Sequence, residues 1–356
     1  MKRIFCVTPS EHGISFVLPV YNGQFWLDEV LDAVLAQAKA AKWPTEIIVV
    51  DDGSTDRSLE IVQSKGEAIH LIEGDHRGAS AAVNKGIREA SYSFVCQVDH
   101  DVVLQNGCLE NLINCVESDP NIAAAQGYFI SDPNDGVWAR VSNIVLRQRY
   151  ARLPIGDVDH VCTGNTLYRT SALHEVGLFD EALGYGYDND MSYRLISAGH
   201  SLVHCPNALS VHRRQPGIKE YFREQYGLGY GRLDLVAKHP KRAGGDQVSG
   251  LCNIFHAAFM FVGLGLLLVT GILALLGRSW ELPLMLSGSV FGLLALERLL
   301  AGALAARRFH DPTAWFFVPA HLIRDLAWAL AIVCWILRRC FGIASCPEHS
   351  MRRISP

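Results

Sequence analysis

The chain has 356 residues, of which 49% are hydrophobic, and its 32 Lys and Arg against 36 Asp and Glu give a formal net charge of −4 at pH 7. This near-neutral balance offers no general attraction to a polyanion, so it argues against a protein that binds nucleic acid through a basic surface. The length accommodates one large domain and a smaller part, and the hydrophobic excess is concentrated after Leu251.

The ten cysteines are scattered along the chain and form no C-x-x-C motif. We therefore expect free thiols in a reducing compartment rather than a disulfide framework or a zinc site. The first twelve residues include Pro9, Ser10 and Glu11 and lack the apolar core of a signal peptide. The sequence thus predicts that the first domain lies in the cytoplasm.

The first hundred residues alternate between short apolar runs and segments whose apolar residues have helical spacing. The predicted strands are Ile14–Val20, Thr45–Val50, Ala68–Ile72 and Phe94–Val98, and the predicted helices are Gln24–Lys39, Arg57–Lys65 and Ala79–Ala90. This alternation predicts an α/β fold with a doubly wound, mostly parallel sheet.

The pattern becomes less regular beyond Asp101. We predict helices at Cys108–Glu117, Asp135–Arg152, Leu173–Val176 and Asp188–Ala198, and extended segments at Ile122–Ile130, Cys162–Arg169, Ser201–Cys205 and Ala208–Val211. Ile218–His239 is a basic, aromatic-rich amphipathic helix, which suits either a membrane interface or packing against the sheet. These elements complete a predicted first domain of residues 1–237.

A polar linker, residues 238–250, leads to a predicted membrane domain, residues 251–340, and a basic tail, residues 341–356. The membrane domain contains hydrophobic segments at about 254–276, 282–306 and 314–337. The first has no charged residue and would extend roughly 35 Å as a helix, which is enough to cross a bilayer. Three full spans would place Arg338 and Arg339 outside the cell, against the positive-inside rule. The third segment is therefore either a span or an interfacial or re-entrant helix.

Two groups of acids follow predicted strands. Asp99 and Asp101 come after the run from Phe94, and Asp51 and Asp52 come after the second strand. Because the carboxyl ends of parallel strands line the ligand-binding edge of an open α/β sheet, these side chains are candidates for a ligand site. Neighbouring carboxylates repel each other unless a cation lies between them, and Mg²⁺ or Mn²⁺ carrying a diphosphate meets that need. For Asp99 and Asp101 alone, an Asp-rich turn at a strand end is an equally good interpretation.

The motifs, in their order and spacing, resemble the inverting nucleotide-sugar glycosyltransferases of family 2 over about residues 14–235. The motifs that carry the resemblance are V-L-P-V-Y-N (17–22), V-D-D-G-S-T-D (50–56), V-D-H-D (98–101), T-G-N-T-L-Y-R (163–169), G-L-F-D-E (177–181), D-N-D-M-S-Y-R (188–194) and V-H (211–212). The resemblance implies the GT-A fold of nucleotide-diphospho-sugar transferases. The stretch 221–232 and the membrane segments also resemble the succinoglycan-type glucosyltransferases of bacterial exopolysaccharide synthesis.

The resemblance implies a role for each matching residue of the donor site. Pro19 and Tyr21 match positions that contact the nucleoside, with Tyr21 placed to stack on the base. Asp52 matches the acid that recognises the uracil ring, and Asp99 matches an acid that holds the sugar diphosphate. Gly164 would line the acceptor pocket, although a strand bulge explains this glycine equally well.

The same resemblance implies a metal site and a catalytic base. Asp101 and His212 match ligands of Mg²⁺ or Mn²⁺, although His212 also suits a surface histidine at a strand end. Asp188 matches the base, which the family usually carries in a Glu-Asp pair. Here Tyr187 stands in place of the Glu, so the acid that would help to tune or position the base is missing. We expect His100 to point away from the site.

These expectations together describe a multi-pass inner-membrane enzyme with a cytoplasmic catalytic domain. It would transfer one sugar from a nucleotide sugar, with a UDP-hexose favoured, to a lipid-linked saccharide acceptor in exopolysaccharide or cell-surface glycan synthesis. Gln225 is not followed by the Arg-Trp of the Q-x-x-R-W motif that processive synthases carry, which favours single transfer. The alternatives are transfer to a simple lipid, such as polyprenyl phosphate or diacylglycerol, and a catalytically silent subunit of an export complex. A dinucleotide-dependent oxidoreductase is excluded because no G-x-G-x-x-G follows the first strand.

Overall fold

The computed structural model describes residues 11–151, 153, 156–214, 217–245 and 252–342. The chain divides into two compact units. The first contains the described residues up to Asp132 and those from Arg149 to Arg214, and the second contains Pro133–Gln148 and the described residues from 217 onward.

The first unit is built on an eight-stranded sheet with the strand order β3-β2-β1-β4-β7-β6-β8-β5. The strands are β1 (Glu11–Val20), β2 (Thr45–Asp51), β3 (His70–Glu73), β4 (Tyr92–Val98), β5 (Val102–Leu104), β6 (Ile122–Ile130), β7 (Asn165–Arg169) and β8 (Ser201–His212). The helices up to this point are α1 (Leu27–Ala40), α2 (Ser58–Ser64), α3 (Ala79–Glu89), α4 (Cys108–Glu117), α5 (Val137–Tyr150), α6 (Thr170–Glu175) and α7 (Tyr187–Ser197).

The four strands β3, β2, β1 and β4 are parallel, as the alternating pattern predicted. Val17, Ile48 and Val95 in this half are completely buried because helices cover the sheet. Tyr168 of β7 and Leu195 of α7 belong to the same core, which therefore joins the two halves of the sheet. The predicted fold class, an α/β fold of GT-A type with C-terminal hydrophobic helices, is confirmed.

The other half of the sheet is more mixed than the sequence indicated. Strand β7 is antiparallel to both of its neighbours, β4 and β6, and β5 is antiparallel to β8. The two predicted strands Ser201–Cys205 and Ala208–Val211 form one strand, β8, with a register shift where Gln126 pairs with His204 and Tyr128 pairs with Leu209. The side-chain pattern of a strand does not record its direction, and the three residues of β5 are too few for a periodic signal.

The second unit contains all but the last two residues of α5, together with α8 (Ile218–Lys238), α9 (Cys252–Leu275), α10 (Glu281–Phe309) and α11 (Phe317–Phe341). Three helical segments, Phe255–Leu275, Glu281–Phe309 and Pro312–Phe341, are long and apolar enough to cross a membrane. In the predicted linker, Pro240–Arg242 forms a short 3-10 turn, and residues 246–250 fall outside the described part. The predicted basic tail likewise falls outside it from residue 343 onward.

Helix α8 lies along most of the length of α11. Near the start of both helices, the Tyr221 hydroxyl donates a hydrogen bond to the backbone oxygen of Ala320 at 3.1 Å. Near their ends, Trp335 Nε1 donates to Asp234 at 2.9 Å, and Arg338 donates to the Tyr230 hydroxyl at 2.6 Å. The predicted amphipathic helix therefore packs along α11 within the second unit.

Candidate active site

The acids predicted from the sequence lie at one edge of the sheet. Because β1 pairs with both β2 and β4 in parallel, the ends of these three strands are neighbours. Asp52 follows the end of β2, and Asp99 follows the end of β4. Tyr21 directly follows β1, whereas Pro19 lies inside β1 opposite Val50.

Asp52 is a buried carboxylate that the backbone holds in place. Its two oxygens accept hydrogen bonds from the amides of Arg77 at 3.1 Å and Gly78 at 2.7 Å, directly before α3. Burial raises the pKa of Asp52 even though these amides and His76 act in the opposite direction. The loop also brings the His76 ring to within 5.1 Å of the Tyr21 ring, between centroids. Sequence reasoning did not single out this loop.

The rest of the D-D-G-S-T-D motif shapes the adjoining turns. Asp56 accepts hydrogen bonds from the backbone and hydroxyl of Ser58 at the start of α2, and from the amide of Gln24 at 3.0 Å. The Ser54 hydroxyl accepts from the amide of Asn22 at 2.9 Å. Capping and turn chemistry therefore account for these residues, while Asp52 faces the loop before α3.

Asp101 and His212 lie side by side because β5 pairs with β8. Val102 is directly opposite His212 in this pairing, and Asp101 Oδ2 is 3.4 Å from His212 Nε2. Burial opposes the ionisation of Asp101, but the nearby His212, His100 and Arg214 lower its pKa to about 2. Burial and the charge of Asp101 raise the pKa of Asp99 to about 6. A carboxylate and an imidazole are thus present together where a cation was predicted.

Gly164 lies directly against Asp99. Its φ of +98° is in the left-handed region, and a Cβ added there would lie 2.7 Å from Asp99 Oδ2. The amide of Asp99 donates to the Gly164 carbonyl at 3.4 Å. A larger residue would therefore strain the backbone and displace this carboxylate. The His100 ring lies against the Gly23 turn, with its Cδ2 2.7 Å from the position of an added Cβ.

Asp188 is the second residue of α7, which begins after Gly186 with a φ of +80°. Its Oδ1 accepts the amide hydrogen of Asn189 at 2.9 Å, and its Oδ2 lies 3.5 Å from His160 Nε2. The preceding Tyr187 places its hydroxyl 3.3 Å from Thr163 Oγ1. Asp188 is therefore held at a helix N-terminus, where the helix dipole favours a negative charge.

His160 and Cys162 complete a cluster around Asp188 that sequence reasoning missed. Their ligand atoms and that of Asp188 all lie within 4.8 Å of one another. Cys162 Sγ is 3.9 Å from His160 Nε2 and accepts a hydrogen bond from the Tyr150 hydroxyl at 2.9 Å. Burial lowers the pKa of His160, but the neighbouring Cys162 and Asp188 outweigh it and raise that pKa well above its usual value.

Comparison with known proteins identifies the family to which this part of the chain is similar. The sequence model described as Glycosyl transferase family 2 matches residues 15–177. Those residues form a glycosyltransferase family 2 domain. The match contains Asp52, Asp99, Asp101 and Gly164, while Asp188 lies beyond it. The interpretation of Asp188 therefore depends on the resemblance and on its position in the structure.

Two curated relatives of the family 2 domain come from bacteria. The chain is 29% identical over 250 residues to the pre-mycofactocin glycosyltransferase of Mycobacterium tuberculosis, which covers 68% of this chain and 51% of that protein. It is 26% identical over 205 residues to the poly-beta-1,6-N-acetyl-D-glucosamine synthase of Staphylococcus aureus, which covers 55% of this chain and 49% of that protein. The chain thus spans about half the length of these relatives.

A solved structure shares the fold over most of the chain. It is a mannosyltransferase from Pyrobaculum calidifontis in complex with GDP-Man and Mn²⁺, with a TM-score of 0.55 and 20% sequence identity. The similarity covers 90% of this chain and 88% of that one. At 20% identity this comparison supports the fold alone and carries no conclusion about substrates.

Proposed function

We propose that this chain is a membrane-anchored, metal-dependent, inverting glycosyltransferase. It transfers a single sugar from a nucleotide sugar, favouring a UDP-hexose, to a lipid-linked saccharide acceptor of exopolysaccharide or cell-surface glycan synthesis. The observation that carries the proposal is the division of the carboxylates. Asp52, Asp99 and Asp101 lie at the carboxyl edge of the sheet, whereas Asp188 lies at the start of α7.

The donor nucleoside is proposed to bind between Tyr21 and Asp52. Each carboxylate oxygen of Asp52 already accepts one backbone hydrogen bond and keeps a lone pair for a base N–H. A uracil ring offers one such N–H, and its face suits stacking on the Tyr21 ring. The Asp52 carboxylate and the Tyr21 ring together support UDP as the nucleotide of the donor. A GDP-sugar is the competing donor to include in an assay.

The metal is proposed to be held by Asp101 and His212, with the sugar diphosphate beside Asp99. The 3.4 Å between Asp101 Oδ2 and His212 Nε2 is close to the spacing of about 3 Å for adjacent ligands of an octahedral cation. Adding an imidazole to a carboxylate suits Mn²⁺ better than Mg²⁺. When bound, such a cation neutralises the charge that develops on the leaving diphosphate.

Asp188 is proposed to be the general base. An acceptor hydroxyl is a weak nucleophile, so a carboxylate must take its proton as the oxygen attacks the anomeric carbon. One attack from the face opposite the diphosphate inverts that carbon, and a single base is sufficient.

The membrane topology proposed here has two spans, α9 and α10, with α11 in the interface. Lys219, Arg223 and Lys238 are exposed and are spread along α8. Each such charge would cost about 2.5–3.5 kcal/mol at the centre of a bilayer, so α8 lies outside the hydrocarbon region. Because α11 packs along α8, it lies at the same depth. Two spans return the chain to the cytoplasmic face, so that Arg338 and Arg339 obey the positive-inside rule.

The lipid-linked acceptor is inferred from the anchor. A catalytic domain tethered to a bilayer meets lipid-borne substrates at a high local concentration. The absence of an Arg-Trp pair after Gln225 supports transfer of one sugar. A simple lipid acceptor and a silent binding subunit remain the alternatives that an assay must separate.

The test is a panel of UDP- and GDP-sugars incubated with purified full-length protein, Mn²⁺ or Mg²⁺ and native membrane lipids, followed by mass analysis of the products. We expect one sugar to be added to a lipid-linked saccharide. Asp101→Ala should abolish the addition, and Asp188→Asn should lower its rate by about 10²–10⁴-fold and leave a measurable residual activity. A product on free polyprenyl phosphate or diacylglycerol would identify a simple-lipid acceptor. Binding of a nucleotide sugar without any product would support the silent subunit.

A further inference from the structure

The imidazole of His160 presents an N–H to the proposed base. His160 is only 3% exposed, and within the described residues its Nδ1 has no hydrogen-bond partner. A buried N–H without an acceptor costs about 1–3 kcal/mol, so the proton of the neutral ring belongs on Nε2. In the cation Nε2 also carries a proton. In either form, the protonated Nε2 lies 3.5 Å from Asp188 Oδ2, with Cys162 Sγ as an alternative acceptor at 3.9 Å.

The segment around His160 is attached to the same turn of α7 that carries Asp188. The Ser192 hydroxyl donates to the backbone oxygen of Asp188 at 2.8 Å and accepts from the amide of Val161 at 3.1 Å. The amide of Cys162 donates to Gln126 Oε1 at 2.8 Å, which fixes the other end of the segment on β6. The position of the imidazole relative to the carboxylate is therefore set by hydrogen bonds on both sides.

We propose that His160 is the positioning residue for the base Asp188, an inference that rests on the proposed function. Tyr187, which stands where the family resemblance leads us to expect an acid, directs its hydroxyl to Thr163, so another residue can hold the base in position. The Nε2–H donates to Oδ2 and fixes the plane of the carboxylate, so that its remaining lone pairs face the acceptor. The acceptor O–H bond breaks toward Asp188 while its oxygen bonds to the anomeric carbon. The bond from that carbon to the diphosphate breaks, and its electrons leave with the diphosphate.

The competing interpretation is a metal site made of His160, Cys162 and Asp188. The usual bond lengths of tetrahedral Zn²⁺ would place its nitrogen, sulfur and oxygen ligands about 3.3–3.6 Å apart. The nitrogen–oxygen distance of 3.5 Å fits this range, but the nitrogen–sulfur distance of 3.9 Å does not. The Cys162 sulfur also already accepts the Tyr150 hydroxyl hydrogen. The long nitrogen–sulfur distance and the occupied sulfur favour direct pairing of His160 with Asp188 over a shared cation.

A double-mutant cycle in the full-length protein tests the positioning role. We expect His160→Leu to lower kcat by about 10- to 100-fold, a part of the 10²–10⁴-fold that a general base contributes, with an unchanged KM for the donor. The variant His160→Gln keeps a side-chain N–H and should recover most of the lost kcat. In an Asp188→Asn background, His160→Leu should cause no further loss, because it acts only through the carboxylate.

Each other outcome has a defined meaning. Equal losses from His160→Leu in both backgrounds would show a structural role and overturn the proposal. An unchanged kcat in His160→Leu, together with a strong loss in Asp188→Asn, would also overturn the positioning role, although the proposed function would then stand. Full activity of Asp188→Asn would remove the base assignment itself. One equivalent of zinc in the purified protein, lost in His160→Leu, would replace the positioning role with a metal site.

Discussion

At the scale of single residues, Gly164 offers the sharpest test of the donor site. Gly164→Ala would combine a φ of +98° with a Cβ only 2.7 Å from Asp99 Oδ2. We expect at least a tenfold loss of transfer, measured as kcat/KM for the donor, because the carboxylate must move. Gly177→Ala is the matched control, since Gly177 has a φ of +88° but, in the part of the chain that the structure describes, no neighbouring atom within 4 Å of an added Cβ. Equal losses in the two variants would mean that backbone strain alone is responsible.

His212 provides a second residue-scale prediction. If it holds the cation with Asp101, His212→Ala should raise the Mn²⁺ concentration for half-maximal activity at least tenfold and leave the rate at saturating Mn²⁺ less affected. Mn²⁺ binding measured by electron paramagnetic resonance should weaken in parallel. His200→Ala is the control, because His200 pairs with Glu175 at 3.0 Å on the surface. An unchanged Mn²⁺ titration would remove His212 from the proposed metal site.

The site residues that could be predicted from the sequence are those that directly follow predicted strands. Asp99 and Asp101 directly follow an apolar run, so their place on the ligand edge is readable from the pattern. His160 could not be recognised in this way. It is 28 positions before Asp188 (188 − 160) and follows no periodic segment, and only the folded chain brings the two side chains to 3.5 Å.

At the scale of elements, the parallel strands and long helices were predictable, while strand direction and short strands were not. Helix Cys108–Glu117 and strand Ile122–Ile130 were predicted with the bounds that the structure shows, because the helix has apolar residues at helical spacing and the strand is a mostly apolar run. Strand β5 was missed. The pairing of β5 with β8 has no local sequence signal, yet it is this pairing that brings together Asp101 and His212, the predicted metal ligands.

The contact between α10 and α11 leads to a prediction about stability. Asp325 is 1% exposed and accepts two hydrogen bonds from Arg324, at 3.0 and 2.7 Å, while Arg298 lies 3.6 Å away. Arg324→Leu should destabilise the second unit by about 3 kcal/mol. It removes both hydrogen bonds to the buried Asp325 carboxylate and leaves its negative charge opposite Arg298 alone among the described side chains. Thermal unfolding in detergent would measure the loss, with the exposed Arg307→Leu as the control. The double substitution Arg324→Leu/Asp325→Leu should recover part of the lost stability, and no recovery would contradict this explanation.

At the scale of the whole molecule, hydropathy identified three long apolar helices but could not assign the depth of the third. That depth depends on α8, whose exposed charges and side-by-side packing with α11 are properties of the folded second unit. A window of the sequence measures how apolar a helix is and does not record what the helix packs against. The conflict between three spans and the positive-inside rule is removed if α11 lies in the interface.

The proposed topology predicts which cysteines an impermeant maleimide can reach from outside intact cells. Cys340 is exposed at the end of α11, so with two spans it should be labelled only after permeabilisation. Ser279→Cys, between α9 and α10, should be labelled in intact cells because this loop lies on the outer face. Mass spectrometry of the labelled peptides separates these sites from the other thiols, and Cys340→Ser confirms the identity of its peptide. Labelling of Cys340 from outside would instead establish three spans and require α8 to lie apart from the cytoplasmic interface.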